Sequence, residues 1–181
     1  MKSTRWYWAV AMAIWASVVI ILLYLTTIKT LTEFDPKQQL VTQAASSSFD
    51  QDFKARMQQY APQLNNTVVH FSQSQCNCNK AAEEHINSVK LLAQEHLMSN
   101  IVINEDSKDM LALIPSTPAV AVFDQDGELR YLGPYSAGYS CTIGNGIVES
   151  FISNMGKSVA VGAAVISQTK GCYCAVTALK S

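Results

Sequence analysis

Between Trp6 and Ile28 the chain carries no charged residue, and this run constrains the rest more than any other feature. A helix needs about 20 consecutive apolar residues to cross the hydrocarbon core of a bilayer. The run is that long, and Trp6, Tyr7, Trp8 and Tyr24 lie near its ends, where amphipathic rings favour the membrane interface. A cleaved signal peptide has a shorter apolar core and a small-residue cleavage site. Thr26-Thr27-Ile28-Lys29 offers no such site, so residues 1–28 are expected to form an uncleaved transmembrane anchor. Lys2 and Arg5 precede the run, whereas Glu33 and Asp35 follow it among Lys29 and Lys37. That small positive-inside bias places the N-terminus in the cytoplasm and everything after the anchor across the membrane. In a bacterium the expected location is the inner membrane, single-pass, with the C-terminal domain in the periplasm, where cysteine pairs persist oxidised.

Residues 29–48 lack clear periodicity, carry Pro36 and end in Gln43-Ala44-Ala45-Ser46-Ser47-Ser48, which reads as a stalk. Residues 49–156 read as the folded domain and residues 157–181 as a C-terminal extension. Ser48 is placed to cap a helix whose first turn holds Asp50 and Asp52, and Phe49, Phe53, Met57 and Tyr60 form one apolar stripe ended by Pro62. Thr67–Phe71 is short, β-branched and apolar, the pattern of a buried strand. Ala82, Ile86, Val89, Ala93 and Leu97 predict one apolar helix face, with Glu83, Glu84, Lys90 and Glu95 on others. Ile101–Ile103 predicts a second strand, and Asp106 or Ser107 starts a brief helix reaching Leu113. Ala119–Phe123, the turn Asp126-Gly127 and Glu128–Leu132 make a hairpin, and 143–155 a helix carrying Ile147, Phe151 and Met155. The order α-β-α-β-α-β-β-α predicts a three-layer α/β domain around a central mixed sheet.

The chemistry lies in five cysteines. Cys76-Asn77-Cys78 stands where the first strand gives way to a helix. A thiol at a helix start feels unpaired backbone N–H groups, which favour the thiolate, and Asn77 and Asn79 can help cap that helix. Cys76 is therefore the expected attacking sulfur and Cys78 the sulfur that resolves what Cys76 captures. Net charge is −1, so no basic surface argues for nucleic acid.

With these residues in place, Phe49 to Met155 resembles a thioredoxin-fold domain. The strand Val68-Val69-His70-Phe71 runs through Ser72–Gln75 into Cys76 at the family's spacing, and Thr117-Pro118 begins a strand as the family's cis-proline does. Phe123 and Gly127-Glu128 then follow close to the family's strand–turn–strand, with one extra residue in the turn. The whole chain is also similar to a group of bacterial membrane-anchored thioredoxin-like proteins whose function is unassigned. The resemblance implies that Thr117 and Pro118 hold a substrate strand beside the sulfurs. It also places His70, six residues before Cys76, where the family keeps a buried carboxylate that accepts a proton from the resolving thiol. A neutral histidine can do the same near pH 7, or can be a core residue with a hydrogen-bond partner. The sequence departs from the family in having C-x-C for C-x-x-C; a bridge within C-x-C closes a very small ring and is labile.

A second pair, Cys172-Tyr173-Cys174, lies in the tail, and Cys141 is the fifth cysteine. The loop holding Cys141 is expected to approach Cys76 or the tail pair. Three arrangements remain open. The tail pair exchanges with Cys76 and Cys78 as a secondary redox pair, or forms structural or cross-bridged disulfides that pin the tail. Otherwise Cys76, Cys78, Cys172 and Cys174 hold Cu(I) or Zn, the C-x-C spacing favouring copper. His85 and His96 read as solvated helix residues, as do Glu83 and Glu84, and Asp124 and Asp126 as turn chemistry rather than a calcium loop. The expected function is a membrane-tethered periplasmic thiol–disulfide oxidoreductase acting on a protein thiol or disulfide without a cofactor. The rivals are a copper or zinc metallochaperone and a binding or assembly module with structural disulfides.

Overall fold

The computed structural model describes residues 2–29, 31–104, 113–138, 146–155 and 162–176. The chain forms two units, Met1–Leu31 and Thr32–Ser181. The first is a single helix, α1 (Lys2–Lys29). Its stretch Trp6–Leu25 has a mean hydropathy of 2.4 and is long and apolar enough to cross a membrane. Trp8, Trp15, Ile20 and Leu23 all stand exposed on it, so the apolar character runs around the helix instead of along one core-facing stripe.

The second unit begins with β1 (Thr32–Glu33), α2 (Gln39–Ala44) and α3 (Phe49–Met57), followed by β2 (Thr67–Phe71), α4 (Asn77–Ala81), α5 (Glu83–Glu95) and β3 (Ser99–Ile103). Then come β4 (Ser116–Thr117), β5 (Ala119–Phe123), β6 (Leu129–Gly133), α6 (Ile147–Ser153), β7 (Ala164–Val165), β8 (Lys170–Gly171) and β9 (Cys174–Ala175). Five strands make a mixed sheet in the order β3-β2-β5-β6-β7. The outer pairs β2·β3 and β6·β7 are parallel, while β2·β5 and β5·β6 are antiparallel.

Alternation along the strands divides the core. Val69, Phe71, Ala121, Phe123 and Leu132 face Phe49, Phe53 and Met57 on one side. Val68, Val120, Val122 and Tyr131 face Val89, Ala93, Val148 and Ile152 on the other. Period-2 side chains on a sheet covered by helices on both faces produce this three-layer arrangement. The hairpin forms where expected, one residue later: Gly127 takes φ +69°, and Asp124 Oδ1 accepts from the backbone N–H groups of Asp126 and Glu128 at 2.9 Å each.

Several expectations need correction. Residues 29–48 do not form a stalk throughout. Phe34 and Leu40 are buried in the core, β1 pairs with β8, and the buried Asp35 carboxylate accepts the N–H groups of Gln39, Leu40 and Val41 at the start of α2. Residues 157–181 are not a separate extension either, because β7 is an edge strand of the central sheet and β8 and β9 fold back on the domain. In α3 the stripe closes at Met57, and Tyr60, beyond the helix end, is exposed. Ser48 binds Asp52 Oδ2 through its hydroxyl and makes no side-chain cap. The helix after the cysteines is broken into α4 and α5 at Ala82, and Leu97 lies outside it, 88 % exposed. The expected helix from Asp106 lies outside the described residues up to Leu113.

Candidate functional site

Cys76 is the N-cap of α4, reached directly from the buried strand β2 by the loop Ser72–Gln75. Gln73 organises that loop. Its carbonyl accepts the backbone N–H of Cys76 and the amide of Asn79 at 2.7 Å, and its side chain meets Thr117 Oγ1 at 2.9 Å. Asn79 thus ties down the loop instead of capping the helix. Cys76 is buried at 3 % exposure, and its sulfur lies 3.8 Å from the carbonyl oxygen of Thr117. The Thr117–Pro118 peptide is cis, and both residues are buried.

The two C-x-C segments are joined to each other, not closed on themselves. Cys76 bonds Cys174 and Cys78 bonds Cys172. The nesting is that of two antiparallel segments: two residues forward from Cys76 matches two residues back from Cys174. The sulfurs of Cys76, Cys78 and Cys174 lie within 4.8 Å of one another. Of the three arrangements the sequence left open, this is the cross-bridged one. Cys141 lies outside the described residues.

Backbone pairing holds the tail in the same place. β9 lies antiparallel on β4, with Thr117 opposite Cys174 and Ser116 opposite Ala175, and Val176 N–H donates to Pro115 O at 3.0 Å. The anchor is Tyr173. It is buried, its ring sits edge-on to Phe34 at 5.2 Å, and its hydroxyl donates to Ser136 O at 2.7 Å. Its carbonyl accepts from Thr32 Oγ1 at 2.9 Å. Gly171 makes room: a Cβ there would come within 2.6 Å of the Tyr173 ring. An aromatic between two cysteines was the available signal, since a buried tyrosine needs both a pocket and a hydroxyl partner.

His70 is buried on the opposite sheet face from Phe71 and has two side-chain partners, neither of them a cysteine. Asn100 donates its amide to Lys90 O, which turns its Oδ1 toward His70 Nε2 at 2.8 Å. Nε2 therefore carries the proton, and Nδ1 accepts from the Tyr135 hydroxyl at 2.5 Å. Burial, with a smaller contribution from the Lys90 charge, lowers the His70 pKa to about 4, and the Asn100 bond opposes this only partly. The ring is neutral at physiological pH.

His85 is not solvated as the sequence suggested. Spaced four and eight residues before Val89 and Ala93, it shares their buried stripe, and Nε2 meets Glu149 Oε1 at 2.6 Å. Burial pushes the Glu149 carboxyl up. The His85 hydrogen bond and the N–H groups of Glu149 and Gly146 outweigh it and hold the carboxyl below its usual range. His96, Glu83 and Glu84 are exposed.

A cluster of three cysteine sulfurs, tied to a tail strand, is thus the chemistry-bearing centre of the described residues. Searches of curated proteins and of solved structures find no match. Residues 45–176, which take in both C-x-C segments and the strands that join them, match a domain of unknown function, DUF6436, and the chain belongs to that family.

Proposed function

We propose that the protein is a membrane-tethered thiol–disulfide oxidoreductase of thioredoxin-like fold, with its second unit in an oxidising compartment such as the bacterial periplasm. The observation that carries this reading is the pairing of Thr117 with Cys174 across β4 and β9 while Cys174 is bonded to Cys76. A thiol–disulfide exchange enzyme holds its partner as an extended strand with one sulfur joined to the nucleophile, and the tail presents that arrangement in cis. The parallel β2–β3 crossover followed by the β5–β6 hairpin supports the fold assignment.

In this reading the Cys76 thiolate, beside the first amides of α4, attacks an incoming disulfide sulfur. One S–S bond forms as another breaks, and the partner leaves as a thiolate. Cys78 or Cys174, each within 4.8 Å, then attacks Cys76 and releases the second partner sulfur. The substrate loses its disulfide as the protein gains one; the reverse sequence oxidises a dithiol. The test uses the full chain in detergent with a disulfide-linked reporter peptide. Cys76→Ser should abolish turnover, and Cys78→Ser combined with Cys174→Ser should accumulate a mixed disulfide on Cys76. Turnover unchanged by Cys76→Ser would reject the reading.

A further inference from the structure

The sulfurs of Cys76, Cys78 and Cys174 share one small volume, all within 4.8 Å of one another. Two belong to the Cys76–Cys174 bond and the third to Cys78–Cys172. Opening each bond takes two electrons and two protons, which a dithiol supplies as it leaves as its own disulfide. Four thiols result. The tail does not depend on sulfur bonds alone for its position. β9 pairs with β4, β8 with β1, and Tyr173 is fixed by Phe34 and Ser136 O. The freed thiols therefore stay opposite one another. Three thiolates at about 2.3 Å from a common ion stand roughly 4 Å apart. Cys78 already lies within 4.8 Å of the other two, and Cys76 and Cys174, 2.09 Å apart in their bond, move apart by about 2 Å once it is opened.

We propose that the reduced protein binds one Cu(I) ion on the thiolates of Cys76, Cys78 and Cys174, and that the two disulfides are the closed state of this site. The ligand group is all sulfur, with no histidine nitrogen or carboxylate in it, and soft thiolates select soft d10 ions. Cys172 is outside the mutually close group, which leaves three ligands where structural zinc takes four. Each ligating thiol gives its proton to solvent, and copper stays Cu(I) throughout; electrons move only in the disulfide step. The site uses the same cysteines as the exchange reaction but does not rest on it.

The full chain carrying Cys141→Ser is reduced anaerobically with a phosphine, which leaves as its oxide. It is then desalted and titrated with Cu(I) against a chromophoric Cu(I) chelator. One ion per chain and a sulfur-to-copper absorption in the near ultraviolet are expected, with none bound by the oxidised chain. Cys78→Ser and Cys174→Ser should each weaken binding by roughly 100-fold, and Cys172→Ser by less than about threefold. Failure of the reduced chain to hold copper against the chelator overturns the proposal. So does a Cys172→Ser loss as large as that of Cys174→Ser, the mark of a four-thiolate zinc-type site. Should a serine variant fail to fold, alkylation of the unsubstituted chain decides. Bound copper must shield Cys76, Cys78 and Cys174 and leave Cys172 reactive, and equal labelling of all four refutes the site. Copper binding without reporter turnover sinks the exchange reading alone, and the converse sinks the copper site alone.

Discussion

Cys174 stands opposite Thr117 in an antiparallel ladder and is at the same time bonded to Cys76, whose sulfur lies 3.8 Å from the Thr117 carbonyl oxygen. One tail residue thus touches both the strand edge and the helix cap. The tail covers Cys76, which is 3 % exposed, whereas Cys78, Cys172 and Cys174 are half-buried.

That difference sets an order of opening. Exchange needs a thiolate to reach a sulfur along the S–S axis, and Cys78–Cys172 offers two half-buried sulfurs where Cys76–Cys174 offers only that of Cys174. Limiting phosphine should open Cys78–Cys172 before Cys76–Cys174. Alkylation followed by mass mapping should find the early label on Cys78 and Cys172. Early label on Cys76 would mean that the tail does not shield it.

The nested bridges should also contribute non-additively to stability. Their sequence separations are 98 and 94, so either one alone closes nearly the same long loop. In the chain-entropy view a loop of about 100 residues is worth about 4.7 kcal/mol, and a second bridge that closes only a few further residues about 2 kcal/mol. Cys78→Ala with Cys172→Ala should cost about 2 kcal/mol, and adding Cys76→Ala with Cys174→Ala about 4–5 kcal/mol more. Urea melts of the three proteins measure this. Equal steps would show that the bridges act independently.

His70 gives a pH dependence. Its pKa falls from 6.5 to about 4 on folding, so the folded protein keeps it neutral while the unfolded chain binds a proton below pH 6.5. Its contribution is complete above pH 6.5 and is lost as pH falls toward 4, by about 3 kcal/mol. His70→Gln retains a donor for Asn100 and an acceptor for Tyr135 but cannot titrate. Melts between pH 7 and 4 should slope less steeply in the variant. Parallel curves would place the pH dependence elsewhere.

Legibility in the sequence followed the range of the forces involved. Val68, Val69, Phe71, Ala119–Phe123 and the Asp126-Gly127 turn were readable because strand burial and turn chemistry are local. The position of Cys76 at a helix cap was readable for the same reason. The tail was not. Strands β8 and β9 have two residues each and carry no periodicity, and the pairing of Cys76 with Cys174 crosses most of the domain. Phe34 and Leu40 looked like linker residues because two apolar positions among polar ones show no pattern until their partners are known. The polarity of His85 points to solvent although its spacing to Val89 and Ala93 puts it in the stripe, and its burial also needs the distant Glu149 as a partner.

Leu97 is the misplacement that yields a direct test. It extends the apolar spacing of Val89 and Ala93, yet it sits one residue past His96 at φ +58° with its side chain in solvent. Leu97 N–H bonds Gln94 O at 3.0 Å and Met98 N–H bonds Ala93 O at 2.8 Å, the paired closure of a helix whose left-handed residue is usually glycine. Met98 makes the accompanying apolar contact, being buried at 4 %. A leucine in that conformation is strained by roughly 1–2 kcal/mol, and its exposed side chain gives nothing in return. Leu97→Gly should therefore stabilise the protein by about 1 kcal/mol and raise the melting temperature by about 2–4 °C. Leu97→Ala keeps the Cβ and should leave stability close to that of the parent. A destabilised glycine variant would mean that Leu97 rests against something in the native protein, for which the membrane surface is the first candidate to examine.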